Sequence, residues 1–175
     1  MGGEKFRIGF TIVELLIVIV VIAILASITI VSYNGIKSSS QSSAVSSGLR
    51  QVEKSMRLWL IEDSLTEWPA DPIAGGGIPL SQMINDTPNL QKYLQSVPSV
   101  QGVQTSEWFY DNEGDTKYEC SNTYNGVNIV IRYVISQEIA QKVDDSIDDS
   151  DLSCGKVRYA DQRIFYSLSY RQAEL

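Results

Sequence analysis

Hydrophobic positions fall along this chain in three successive regimes, each predicting a different kind of element. In the first, residues 10–31 are apolar almost without a break, and Glu14 is the sole charge among those 22 positions. An α-helix rises about 1.5 Å per residue, so this stretch is about 33 Å long and matches a hydrocarbon core of about 30 Å. A membrane span is expected over residues 10–33.

In the second regime Val45, Leu49, Val52, Met56, Trp59 and Leu60 recur at gaps of four, three, four, three and one. That is the stripe of an amphipathic helix. The spacing predicts one long helix from Phe10 to Glu62, with its first half in lipid and its second half against a folded domain. The serine-rich run 38–43 opposes this, because serine is a mediocre helix former and such runs are often linkers. Val45 and Leu49 resume the pattern at once, so the serines are expected on the outer face or in contacts with other copies. Glu53 and Arg57 lie one turn apart and are expected to pair on the wet face, for about 0.3 kcal/mol.

The third regime is short and punctuated. Residues 64–105 carry Pro69, Pro72, Pro79, Pro88 and Pro98 together with Gly75, Gly76 and Gly77, which rules out an extended helix. Short helices are expected at 80–85 and 89–95. Trp68 and Trp108 read as core or loop anchors rather than as ligand platforms. From residue 106 strand signals take over. Residues 107–110 and 116–120 predict a hairpin, 127–135 a strong strand, and 157–159 with 164–170 the last pieces. An antiparallel sheet of three or four strands packed on the amphipathic helix is expected, giving an α+β domain.

Between the strands lies an insertion, 136–153. Ile135, Ile139, Val143 and Ile147 fall at strict four-residue gaps and predict a short helix. The insertion continues into Asp144, Asp145, Asp148, Asp149 and Asp151. Aspartates are unfavourable at the negative end of a helix, so the run is expected in the exit and the loop. It reads first as a solvated acidic loop; a calcium site is the alternative, although the spacing is not that of an EF-hand.

Composition narrows the function. Beyond the leader and the span about 140 residues remain, enough for one domain with its own core. The net charge is −7 and histidine is absent. An acidic chain lacks the basic face that general nucleic-acid binding needs, and without histidine it lacks the commonest general base and zinc ligand. Gly75–Gly77 lead into Ile78-Pro79, not into a phosphate-binding lysine, and no nucleophile elbow is present. Carboxylates are plentiful, but counting them does not define a glycosidase-like pair. No catalytic residue is assigned, and the chain reads as a non-enzyme. Cys120 and Cys154 are the only cysteines. In an oxidising compartment they form a bridge, with two free thiols as the alternative.

Residues 1–9 form a short polar leader with Lys5 and Arg7 against Glu4, ending in Gly9 directly before the apolar run. An ordinary secretory signal places its cleavage site after the apolar region; here it would precede it. The span would survive a cut after Gly9, and Lys5 and Arg7 would hold the leader in the cytoplasm. The cut also creates an amine at Phe10, one turn from Glu14. A carboxylate inside a span costs about 2.5 to 3.5 kcal/mol, less near the interface, so a nearby cation matters.

Gly9 followed by Phe10-Thr11-Ile12-Val13-Glu14-Leu15-Leu16 resembles the N-terminal signature of type IV prepilins and of the pseudopilins of type II secretion and competence systems. The resemblance implies a type IV pilin-like fold, cleavage after Gly9 by a prepilin peptidase, and N-methylation of Phe10. It implies that Glu14 neutralises the Phe10 amine of a neighbouring subunit during assembly. The partners it implies are other copies or related pilin subunits, the peptidase, a pilus assembly platform and the lipid bilayer. The protein would be a single-pass membrane protein with an extracytoplasmic head, later part of an extracellular filament. The implied domains are a leader at 1–9, a transmembrane helix at 10–33, its amphipathic continuation at 34–65 and a globular head at 66–175. The head would contain a C-terminal region closed by a Cys120–Cys154 disulfide, and loops in some pseudopilins hold calcium. One departure is visible: residues 28–31 lack the proline that many pilins carry late in the span, and Gly35 is the nearest weak point. Two rivals stand beside a pilus subunit. One is a pseudopilin. The other is a membrane-anchored extracellular binding module, in which Glu14 would sit at the interface without a partner.

Overall fold

The computed structural model describes residues 11–71, 76–112, 126–132 and 135–169. Helix α1 runs unbroken from Ile12 to Glu62, 51 residues. The chain divides into two compact units, Met1–Lys37 and Ser38–Leu175, and α1 contributes to both.

In the first unit the described part is helix alone. Its Ile, Val and Leu side chains are exposed, from Ile12 to Ile36. The polar side chains inside the apolar run are satisfied locally, with Ser27 Oγ donating to the Ala23 carbonyl and Thr29 Oγ1 to that of Leu25. Such back-bonding is how hydroxyls are tolerated where no water is present. The helix is long and apolar enough to cross a membrane, and it passes Ile28–Val31 and Gly35 without interruption.

In the second unit the predicted stripe is the core. Val45, Leu49, Val52 and Met56 are fully buried, and Trp59 and Leu60 nearly so. Each such side chain contributes about 1.5 to 3 kcal/mol of burial free energy. Gly48 faces the same way, and a Cβ there would lie 3.0 Å from Pro98 Cβ and 3.0 Å from Trp108 Cη2. Its missing side chain lets the helix backbone approach the indole.

After α1 come strand β1 (Ile78–Pro79) and the short helices α2 (Leu80–Asp86) and α3 (Pro88–Gln91). The helices tuck Leu80, Met83, Ile84 and Leu90 inward. Trp68 is buried as expected, and its loop is pinned by Tyr110 Oη and Asn112 Nδ2, each donating to the Pro69 carbonyl at 2.7 Å. Strands β2 (Trp108–Asp111), β3 (Val127–Ile131), β4 (Val157–Ala160) and β5 (Arg163–Ser169) complete an antiparallel sheet in the order β1-β2-β3-β5-β4. The fold is therefore α+β, a long N-terminal helix with a small antiparallel sheet, as in type IV pilins. Five strands replace the expected three or four.

The register puts Trp108, Ile131, Ile164 and Tyr159 in one row and Tyr110, Ile129, Tyr166 and Val157 in the next. Period-two alternation makes these one face, and they join the α1 stripe in a single core. The β4–β5 hairpin turns on Asp161 (φ 50°) and Gln162 (φ 61°), the two positive angles of a two-residue hairpin loop. The expected hairpin between 107–110 and 116–120 is corrected in part. Strand β2 pairs with β1 on one side and β3 on the other, and residues 113–120 lie outside the described residues.

Helix α4 (Gln137–Ile147) fills the insertion, opened by Ser136 Oγ, which accepts from the Ile139 N–H at 3.4 Å. Ile139, Ala140 and Val143 are buried, and Tyr159 Oη ties β4 to the Ile135 carbonyl at 3.0 Å. Two expectations are corrected here. The helix continues through Asp144 and Asp145, which were expected in its exit; its buried edge at Val143 and Ala140 outweighs the dipole. Ser42, in the run expected on the outer face or in contacts with other copies, is buried, and so is Ser46 one turn on. Ser46 Oγ lies 2.8 Å from Ser146 Oγ, and Arg50 donates to the Ser146 carbonyl at 2.6 Å. The small serines make room for α4.

Candidate functional site

Glu14 sits in the first turn of α1, where the orphan N–H groups of a helix attract an acid. Its Oε2 accepts from the Thr11 backbone N–H at 2.8 Å and from Thr11 Oγ1 at 2.7 Å. In return the Glu14 N–H donates to Thr11 Oγ1 at 3.2 Å. This reciprocal pair is a capping box, a threonine and a glutamate three residues apart closing the helix end on itself. Gly9 and Phe10 lie outside the described residues.

The arrangement gives the lone acid of the span a fixed position at one helix end, above an exposed apolar helix. Among the described residues the partners of this carboxylate are neutral donors, both on Thr11. An ammonium brought near would meet a preoriented acceptor. Thr11 is the residue that the sequence reading passed over, although the Thr-x-x-Glu spacing was visible in it.

Comparison with protein-family models matches residues 6–30 to the prokaryotic N-terminal methylation motif. The chain carries the type IV prepilin signature. The match covers Gly9, Phe10, Thr11 and Glu14, so the capping box lies within the matched segment. Neither the curated proteins nor the solved structures include a match to the chain. Such a motif implies processing by prepilin peptidase and assembly with pilin subunits, and with the apolar helix it fits a membrane-anchored protein. Carriers of this motif are structural subunits rather than enzymes.

The acidic run of the second unit divides into two groups. Asp144, Asp148 and Asp149 converge, with one carboxylate oxygen of each within 4.8 Å of the others. Asp145 and Asp151 turn to their own partners: Gln141 Nε2 donates to Asp145 Oδ1 at 3.0 Å, and Ser153 Oγ donates to Asp151 Oδ1 at 2.6 Å. Asp144 is fully buried, contrary to the expectation of a solvated loop, because it lies on the edge of α4 that carries Val143 and Ala140. Burial, and then the charges of Asp148, Asp149, Asp145 and Asp151, push its carboxyl up to about 6.

Cys154 follows this loop and is not free. Cys120 lies outside the described residues.

Proposed function

We propose that this protein is a structural subunit, a major or minor pilin, of a type IV pilus or a related filament. It enters the membrane with its leader in the cytoplasm, is cut between Gly9 and Phe10, and is N-methylated at Phe10. The head, anchored outside the membrane, is then drawn into a filament whose core is a bundle of apolar helices. Glu14 sets the axial register by pairing with the Phe10 amine of a neighbouring copy, since a mispaired carboxylate in a dry core costs several kcal/mol. Cys120 and Cys154 are bridged in the oxidising exterior; Cys154 is not free and the chain has one other cysteine.

The observation that carries this reading is a single acid placed at the start of an exposed apolar helix, inside a segment matching the methylation motif. N-terminal sequencing with intact-mass analysis of the membrane-extracted protein tests it. The expected mature chain begins at N-methylated Phe10. A chain that begins at Met1 overturns the reading and favours a permanent anchor.

A further inference from the structure

Helices α1 and α4 run side by side in the same direction. Ser38 Oγ donates to Glu138 Oε1 at 2.8 Å, and Ser46 Oγ lies 2.8 Å from Ser146 Oγ. Each pair is 100 positions apart, so both helices advance equally between the two contacts, from 38 to 46 and from 138 to 146, by about 12 Å. The first turn of α4 therefore lies beside Ser38, the residue at which α1 enters the second unit. Lys142 Nζ closes this corner, donating to Ser38 Oγ at 2.7 Å and to Glu138 Oε1 at 2.9 Å. At the far end Arg50 donates to the Ser146 carbonyl, a cation at the negative pole of α4.

A second piece reaches nearly the same level of α1. Residues 100–103 form a turn closed by the Val103 N–H on the Val100 carbonyl at 3.0 Å. Val100 and Val103 are buried, while the tip, Gln101 and Gly102, is exposed. Gly102 comes against Gln41, one turn of helix beyond Ser38, and a Cβ there would lie 3.2 Å from Gln41 Nε2.

This end of the unit follows directly on the apolar stretch. Exposed apolar side chains continue to Ile36, and the first charge after Glu14 is a cation, Lys37. The headgroup layer adds about 5 to 7 Å to each side of a hydrocarbon core, which is the rise of about four or five helical residues. Counted from Ile36, Ser38 and Gln41 fall inside that interval.

The chemistry at this end suits phosphate. The net charge of the chain is −7, yet Gln101, Gly102 and Gln137 are neutral and exposed, and the carboxylate of Glu138 is met by Lys142 and Ser38. Gln137 and Glu138 precede the first intrahelical bond of α4, from the Ala140 N–H to the Ser136 carbonyl, so their own N–H groups are donors at a helix start. The acids that follow Ile147, namely Asp148, Asp149 and Asp151, begin about 15 Å further along α4.

We propose that the first turn of α4 and the Gln101–Gly102 turn form a membrane-contact surface, resting on the phosphates of the phospholipid headgroups around the span. The inference builds on the membrane-anchored part of the reading above and needs neither cleavage nor a filament. The subunit makes the contact while it is held in the bilayer and gives it up on leaving.

Amide hydrogen exchange of the full chain tests this, in nanodiscs of phosphatidylethanolamine and phosphatidylglycerol and in maltoside micelles. In the discs the Gly102, Gln137 and Glu138 amides are expected to exchange about tenfold more slowly than in micelles, the worth of one charge-assisted hydrogen bond. Residues 148–153 are expected to exchange alike in both. Gln101→Glu combined with Gln137→Glu is expected to abolish the difference by repelling phosphate. Both positions are exposed, and an acid in the first turn favours a helix, so the fold is kept. A chain in the disc with no slowing at these amides overturns the contact alone. So does slowing that spreads equally to 148–153, or slowing kept in full by the variant. A chain that does not enter the discs overturns the span and this contact together.

Discussion

Glu53 on α1 accepts the phenolic hydrogen of Tyr166 on β5. The same carboxylate takes the Lys156 ammonium at 2.9 Å and Arg57 Nε at 3.1 Å, while Arg57 reaches on to the Leu168 carbonyl at 2.7 Å. One acid thereby ties α1 to β5 and to Lys156, the residue that leads into β4. The predicted Glu53–Arg57 pair exists, but Glu53 turns toward the sheet and its side chain is only 15% exposed. Burial raises its carboxyl, and the bonds from Tyr166, Lys156 and Arg57 outweigh that, so the net direction is downward. A depressed carboxyl contributes stability above its unfolded value and loses it as pH falls through the folded value. Glu53→Gln should destabilise the protein by about 2 kcal/mol at neutral pH. Denaturant titrations at pH 7 and pH 3 should show the parent and variant converging in acid.

Gly48 is predicted to tolerate no side chain. Alanine would gain about 1 kcal/mol of helix propensity, but its Cβ would press on Pro98 and on a fully buried Trp108. Overpacking of this kind costs about 1 to 3 kcal/mol. Gly48→Ala should lower Tm, and Gly48→Val should lower it further; thermal melts of both check this.

In calcium-free buffer, Asp144 gives stability an unusual slope. Its carboxyl is raised from 3.8 to about 6, so the native state holds that proton more tightly than the unfolded chain. The contribution is full below 3.8 and is lost as pH rises through about 6. Asp145, Asp151 and Glu53 are shifted the opposite way, so the measured quantity is the parent-minus-variant difference. The stability of Asp144→Asn relative to the parent should increase across that window, as followed by urea titration at several pH values.

Glu14→Ala should insert and be cleaved normally yet enter filaments poorly, because it removes the acid without shortening the span. Thr11→Ala should leave the acid in place and remove its cap, at a cost of about 1 kcal/mol to the first turn. Separating filament and membrane fractions, with mass analysis of each, distinguishes the two.

The proposed Cys120–Cys154 bridge closes a loop of about 35 residues, worth about 4 kcal/mol in the chain-entropy model. Alkylation before and after reduction should label no cysteine in the first case and both in the second. Reduction should lower the denaturation midpoint.

Much of the fold was legible because it rests on periodicity. The α1 stripe from Val45 to Leu60 is the buried face, and α4, capped by Ser136, runs along the four-residue pattern from Ile139 to Ile147. What escaped depends on contacts distant in sequence. Strand β1 is two residues, Ile78 and Pro79, too short to show alternation. Ser42 looked solvent-facing by residue type, yet its Oγ satisfies itself on the Ser39 carbonyl, and nearby Ser46 meets a hydroxyl 100 positions away. The motif segment announced itself by composition. The convergence of Asp144, Asp148 and Asp149 did not, since the sequence orders the acids along the chain but not around a point.

The two margins of the sheet have a further consequence. On one, β1 contains Pro79, which has no N–H to donate. On the other, the Tyr159 N–H of β4 is already spent on the Leu152 carbonyl at 2.9 Å. In the proposed filament, identical heads side by side would thereby be discouraged from zipping their backbones into a continuous ribbon. Recognition between copies falls to side chains, which mutation can retune without endangering the architecture underneath.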